Sequence, residues 1–151
     1  GLIGFEVDEQ FDGPGVDDFR YNAILIDEIA RTGAAAEAIA FSLQNDVVLP
    51  YLTELTTDEQ KARFLPMIAS GEILPTAVFT EPNTGSDLGS LRTRAVRTGD
   101  GWEITGNKTW ITHPVRADIM TLLVALFGRL FLGDRLRPLA VLGLGLAALD
   151  P

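Results

Sequence analysis

Two short stretches concentrate the side chains that could hold or orient a ligand. The first, Thr80-Glu81-Pro82-Asn83-Thr84-Gly85-Ser86-Asp87, crowds hydroxyls and a carboxamide around a proline and a glycine. Such a turn offers backbone N–H groups and hydroxyls to a polar ring edge or a phosphate. Its plain alternative is a capped turn at the end of a strand. The second, Lys108-Thr109-Trp110-Ile111-Thr112, sets an indole and a hydroxyl two residues apart. On a strand that spacing turns both to one face, the pairing a planar heteroaromatic ligand needs. Taken alone, a strand tryptophan is more often core than cofactor platform, and a buried Trp110 would supply up to about 4–6 kcal/mol of burial.

Other reactive residue types offer less. The acid pairs Asp17-Asp18 and Asp58-Glu59 read as solvated helix starts, where negative charge is favoured. His113 is the one histidine, so an imidazole-based metal site lacks a second ligand. There is no cysteine, which excludes disulfides and thiolate zinc sites and suits a reducing, cytoplasmic setting. Gly143-Leu144-Gly145-Leu146-Ala147-Ala148 superficially fits a dinucleotide fingerprint. That motif needs a following helix and strand within about 30 residues, and the sequence stops at Pro151, so it reads as a chance match.

The elements that must position the two stretches follow from periodicity. Gly13-Pro14-Gly15 ends an entry loop, and Asp17 is a candidate N-cap. Phe19, Ala23, Ile26 and Ile29 then recur at helical steps, predicting a helix over about 18–31 with Gly33 as its stop. The alanine-dense 34–43 predicts a second helix that shades into a turn interrupted by Pro50. Thr57-Asp58-Glu59-Gln60 fits a capping box and predicts a third helix over about 58–69, ended by Gly71. The period then changes. Strands are predicted over 76–80, 91–98, 102–105, 109–112 and 119–124, with Gly99-Asp100-Gly101 and Gly106-Asn107 as hairpin signals. Helices first and antiparallel strands afterwards make an α+β protein.

Composition sets the outer bounds. The 151 residues are 46% hydrophobic and 22% charged, an ordinary globular balance. Residues 1–60 carry 13 acids against only Arg20 and Arg31, a charge that disfavours nucleic acid and anionic lipid. The remainder is mildly basic and suits a phosphorylated cofactor. The longest apolar run, Leu139 to Leu149, is about half of what a membrane-spanning helix requires. Residues 126–151, rich in Leu, Gly, Arg and Ala, keep no clean period and read as an atypical tail, a non-native continuation such as an out-of-frame reading.

In this order, Thr-Glu-Pro (80–82), Gly-Ser-Asp (85–87) and Lys108-Thr109-Trp110-Ile111-Thr112 closely resemble the acyl-CoA dehydrogenase family. The helical stretch Asp46 to Leu74, with Thr57-Asp58-Glu59-Gln60-Lys61 and Ala69-Ser70-Gly71-Glu72, resembles the family's segment before its β-domain. The resemblance covers residues 4–125. It implies an N-terminal helical bundle segment over 1–74, the start of an antiparallel β-barrel-like middle domain over 75–125, and an unassigned tail over 126–151. It further implies FAD, with Ala77, Val78, Phe79, Thr80, Gly85, Ser86, Trp110, Ile111 and Thr112 as cofactor contacts. Thr80 would lie near the pyrimidine end of the flavin ring, and Ser86 would sit by the pyrophosphate and touch the acyl-CoA substrate. Trp110 would cover the ring, with Thr112 donating toward N5.

The family's reaction is α,β-dehydrogenation of acyl-CoA to trans-2-enoyl-CoA, with electrons passed to an electron-transfer flavoprotein-like acceptor. The family assembles as homo-oligomers, and neither nucleic acid nor a membrane span belongs to it. Its base is a glutamate from a C-terminal helical domain to which nothing in this sequence corresponds, so no catalytic residue is expected here. The chain, starting at Gly1, therefore reads as a piece of such an enzyme, inactive alone. The alternative is a non-enzymatic product or interaction module. One departure stands beside the flavin stretch: His113-Pro114 occupies the place of an Asn-Gly-like turn in many relatives.

Overall fold

The computed structural model describes residues 2–99, 101–125 and 145–148. Helices come first: α1 (Arg20–Arg31), α2 (Ala35–Ser42), α3 (Leu49–Leu55) and α4 (Asp58–Ser70), with a π-helical turn, Leu43–Val48, joining α2 to α3. Local chemistry accounts for both ends of α1 and of α4. Asp18, rather than the expected Asp17, serves the start of α1 by accepting from Arg20 N at 3.0 Å. Gly33, at φ +84°, carries the chain out of α1. At α4, Thr57 Oγ1 accepts from Gln60 N while Gln60 Oε1 accepts from Thr57 N, and Gly71 closes the helix in the left-handed conformation.

Pro50 does not break the chain as its type suggested. It sits at the second residue of α3, directly after the π-helical turn, and the helix runs on through it, so a helix forms where a turn was expected. The π-helical turn ahead of it buries Gln44, Asn45 and Val48. Asn45 uses its amide well: Gly4 N donates to its Oδ1 at 2.9 Å, and its Nδ2 donates to Leu2 O at 3.1 Å, pinning the entry loop to the helices.

The second half holds β1 (Pro75–Val78), β2 (Arg94–Thr98), β3 (Gly101–Thr105), β4 (Ile119–Leu122) and β5 (Gly145–Ala148). The expected α+β arrangement is therefore present. One sheet runs β1-β4-β5, and β2 and β3 form a separate antiparallel hairpin over the Gly99 turn. Not every pair is antiparallel, because β1 and β4 run parallel in the register Pro75↔Ile119 to Val78↔Leu122. Parallel neighbours require a long crossover, and the stretch 79–118 that makes it carries both ligand-type motifs. The described strands do not close into a barrel. Strand β5 falls within the stretch read as an atypical tail and pairs antiparallel with β4. The tail reading otherwise falls on 126–144 and 149–151, outside the described residues.

The core lies where the helices meet this sheet. Val7, Val48, Leu49, Leu52, Phe64, Leu65 and Ile68 pack with Ala77 of β1 and Ile119 of β4. Burial of each large aliphatic side chain contributes about 1.5–3 kcal/mol, enough to hold β1, buried along its whole length, as a fixed rail. Among the described residues no helix is long and apolar enough to cross a membrane.

Candidate functional site

The crossover leaves β1 at Val78 and enters the Thr80–Asp87 turn, which is closed by reciprocal Glu81–Thr84 backbone hydrogen bonds of 2.9 and 3.1 Å. It returns to β4 through Lys108–Thr112. Two backbone-directed bonds join the outgoing and returning paths: Thr109 N donates to Thr80 O at 3.0 Å, and Thr76 Oγ1 donates to Thr112 O at 2.8 Å. The two motifs thus share one edge of the molecule.

What binds them is a buried ionic hub. Glu81, 3% exposed, accepts from Arg92 N (2.7 Å) and Thr93 N (2.9 Å), and Lys108 Nζ reaches it at 3.0 Å. The same ammonium donates to Phe79 O at 2.8 Å. Burial alone would raise the Glu81 pKa, but hydrogen bonds from Thr93, Arg92 and Lys108 outweigh it and hold the carboxyl at about 2, below its ordinary 4.5. The unfolded chain takes up this proton near the ordinary value, whereas the folded carboxylate resists it until about 2. Its stabilisation is therefore fully present above about pH 4.5 and drains away between there and pH 2, on the order of 3 kcal/mol. Urea midpoints measured at about pH 6, 4 and 3 are expected to fall in that order; a flat series would remove Glu81 from the ledger of stabilising groups.

Gly106 lets Lys108 reach the hub. A Cβ there would lie 2.2 Å from Thr93 Oγ1 and 2.6 Å from Thr93 Cβ, and Thr93 is itself buried. The hairpin expected at Gly106-Asn107 is absent; the glycine serves a close approach instead. Gly106→Ala is expected to lower stability by about 1–3 kcal/mol, read as a shift in urea midpoint with an unchanged slope.

The expected strand over 109–112 is also absent. Trp110, at φ +57°, and His113, at φ +39°, adopt left-handed backbone, which costs a non-glycine residue roughly 1–2 kcal/mol. This breaks the alternation that would have set Trp110 and Thr112 on one strand face. Trp110 instead projects with 89% of its surface exposed, and Thr112 is exposed beside it.

The nine expected cofactor contacts divide by position. Ala77 and Val78 have their side chains buried in the sheet, and Phe79 is half-buried with its ring 5.7 Å edge-on from Tyr51. Thr80 and Ile111 are half-buried at the shared edge, and Gly85, Ser86, Trp110 and Thr112 are exposed. Thr80 is bonded to the returning segment, whereas Gly85 and Ser86 are not. Glu81 and Lys108 were legible as members of the motifs but not as an ion pair. Gln44, 2% exposed with its Nε2 3.3 Å from His113 Nε2, was missed; its only sequence signal is a polar Gln-Asn pair inside an apolar helical run.

Residues 1–72 match the model of the acyl-CoA dehydrogenase N-terminal domain, and 76–133 match that of the acyl-CoA dehydrogenase middle domain. The chain belongs to the acyl-CoA dehydrogenase family. The middle-domain match runs past residue 125, where the resemblance was expected to stop. The chain is similar to (2S)-methylsuccinyl-CoA dehydrogenase of Cereibacter sphaeroides, with 48% identity over 82% of this chain and 22% of that one. An acyl-CoA dehydrogenase of Bacillus subtilis is 39% identical over 79% of this chain and 31% of its own length. Among solved structures, acyl-CoA dehydrogenase from Geobacillus kaustophilus superposes with a TM-score of 0.73 at 35% identity, over 80% of this chain and 31% of that one. A glutaryl-CoA dehydrogenase from Mycobacterium smegmatis in complex with FADH2 gives 0.72 at 28% identity, over 82% and 31%. The chain thus spans between about a fifth and a third of these acyl-CoA dehydrogenases.

Proposed function

We propose that this chain supplies the flavin-contacting part of an FAD-dependent acyl-CoA dehydrogenase, with residues 1–74 as its helical domain and 75–125 as part of its middle β-domain. The observation that carries this is the shared edge: Thr109 N to Thr80 O and Thr76 Oγ1 to Thr112 O hold both motifs together beside an exposed indole. These residues suit a flavin. Trp110 offers a free aromatic surface, Thr80 and Thr112 flank it, and Gly85-Ser86 present an uncovered turn to pyrophosphate and substrate. The chemistry a bound FAD supplies here is acceptance of the hydride leaving the β-carbon of the acyl thioester.

This chain's own residues bind and orient. Among the described residues none is placed to remove the α-proton: Glu81, the one buried acid there, has both carboxylate oxygens engaged in the hub. The base therefore belongs to another part of the enzyme, and the chain alone is inactive. The substrate class is an acyl-CoA thioester, the theme common to relatives named for methylsuccinyl, long-chain and isovaleryl groups. An electron-transfer flavoprotein-like acceptor and assembly with identical copies complete the proposal, as does a cytoplasmic location.

FAD titration of the chain, followed by flavin fluorescence, tests it. Saturable quenching is expected, and Thr112→Val is expected to weaken affinity about fivefold, the worth of one hydrogen bond of about 1 kcal/mol. Equal affinity in wild type and variant would take Thr112 out of the site. A second reading, a non-enzymatic interaction module, draws on Ile24 of α1 and Ile39 of α2, both more than 60% exposed. A colourless protein indifferent to FAD would favour that reading.

A further inference from the structure

We propose that His113 is a positioning residue that latches the Trp110–Thr112 segment onto the helical half of the chain through Gln44; the role assigned to that segment rests on the flavin reading above. His113 directly follows Thr112, and its peptide anchors the return to β4, because Arg116 N and Ala117 N donate to its carbonyl at 3.0 and 3.2 Å. Its ring points the other way along the chain's contacts. His113 Nε2 lies 3.4 Å from Pro75 O, at the start of β1, and 3.3 Å from the Gln44 side-chain nitrogen in the π-helical turn. One imidazole therefore touches both the buried strand and a helical insertion, which is a form of irregularity often found beside functional sites.

The protonation pattern that satisfies these neighbours is specific. With Nε2 protonated, the ring donates to Pro75 O. Gln44 Oε1 is buried and has no hydrogen-bond partner. Rotating that amide by half a turn brings its oxygen to His113 Nε2, so that the single Nε2–H is shared between Pro75 O and Gln44 Oε1 in a three-centre bond. The carboxamide and the imidazole then hold each other across 69 residues of sequence. This tie is what the segment needs, because Trp110 and His113 both occupy left-handed backbone that a free loop would relax. Thr76 Oγ1 fixes the carbonyl of Thr112, and the His113 ring fixes the next side chain, so the exposed indole is presented from a segment tied down on its far side.

Two variants separate the latch from simple packing. His113→Phe keeps a ring and loses the Nε2 donor, whereas His113→Gln returns an amide nitrogen to nearly the same reach. Both are made in the full chain carrying Trp102→Phe, which leaves Trp110 as its one indole. In His113→Phe, the steady-state fluorescence anisotropy of Trp110 is expected to drop and FAD affinity to weaken about tenfold, while Tm shifts by no more than about 4 °C. In His113→Gln, anisotropy and affinity are expected to recover to within about threefold of the parent. Unchanged anisotropy in His113→Phe, or no recovery in His113→Gln, would overturn the latch. If the parent chain ignores FAD altogether, the flavin reading fails, and the anisotropy series still decides whether His113 holds Trp110.

Discussion

Lys108→Met is expected to destabilise the chain by about 3–5 kcal/mol, the cost of leaving a buried carboxylate without its counter-ion. The size follows from where the charge sits. Glu81 has a side chain 2% exposed, and Lys108 is only 11% exposed, so water cannot take over the lost contact. Two peptide N–H groups remain on the carboxylate, which is why the loss is bounded. The same change removes the donor to Phe79 O and loosens the path from β1 into the Thr80 turn. Urea unfolding provides the measurement. Adding Glu81→Gln to Lys108→Met is expected to recover part of the loss, because the unpaired charge is then gone. A loss below about 1 kcal/mol in the single variant would mean that the pair behaves as a solvated surface bridge.

Trp110→Ala is expected to do the reverse, leaving the fold intact while weakening FAD binding by about ten- to a hundredfold. A buried tryptophan would have contributed several kcal/mol to folding, as the strand reading of 109–112 implied. With 89% of its surface already in water, its removal is expected to change unfolding free energy by no more than about 0.5 kcal/mol. The affinity figure comes from stacking of a flat heteroaromatic ring on an exposed indole, worth about 1–3 kcal/mol. Calorimetry of unfolding and flavin fluorescence titration read the two effects separately. Should Trp110→Ala unfold the chain, or leave FAD affinity untouched, the indole is not the platform proposed. Together the variants test whether the crossover divides into a buried hub that holds shape and an exposed ring that meets the ligand.

Much of the helical half was legible because its signals act over three or four residues. Thr57 and Gln60 cap each other, Gly33 and Gly71 end their helices, and Gly99 turns a hairpin, each through atoms close in sequence. The two ligand motifs were legible as residue types for the same reason, and their order carried the family resemblance. Pro50 shows the limit of that local reading: its type says break, but directly after the π-helical turn the helix runs on through it.

The amino-acid sequence by itself determined three of the four described α-helices, the strands that became β1 to β4, the α+β order and the chemical character of the Thr80 and Trp110 stretches. Only the tertiary structure decided how those stretches meet. Glu81 finds its donors 11, 12 and 27 residues away, and β1 pairs with a strand more than 40 residues downstream. No periodicity encodes partners at such separations. They arise because a buried carboxylate must be paired and a buried strand must have every backbone group bonded, conditions that exist only once the chain has closed on itself. The exposed, left-handed Trp110 is the clearest result of that closure: alternation along the sequence made it a strand residue, and the bonds from Thr109 and Thr76 on either side of it hold it in an exposed loop.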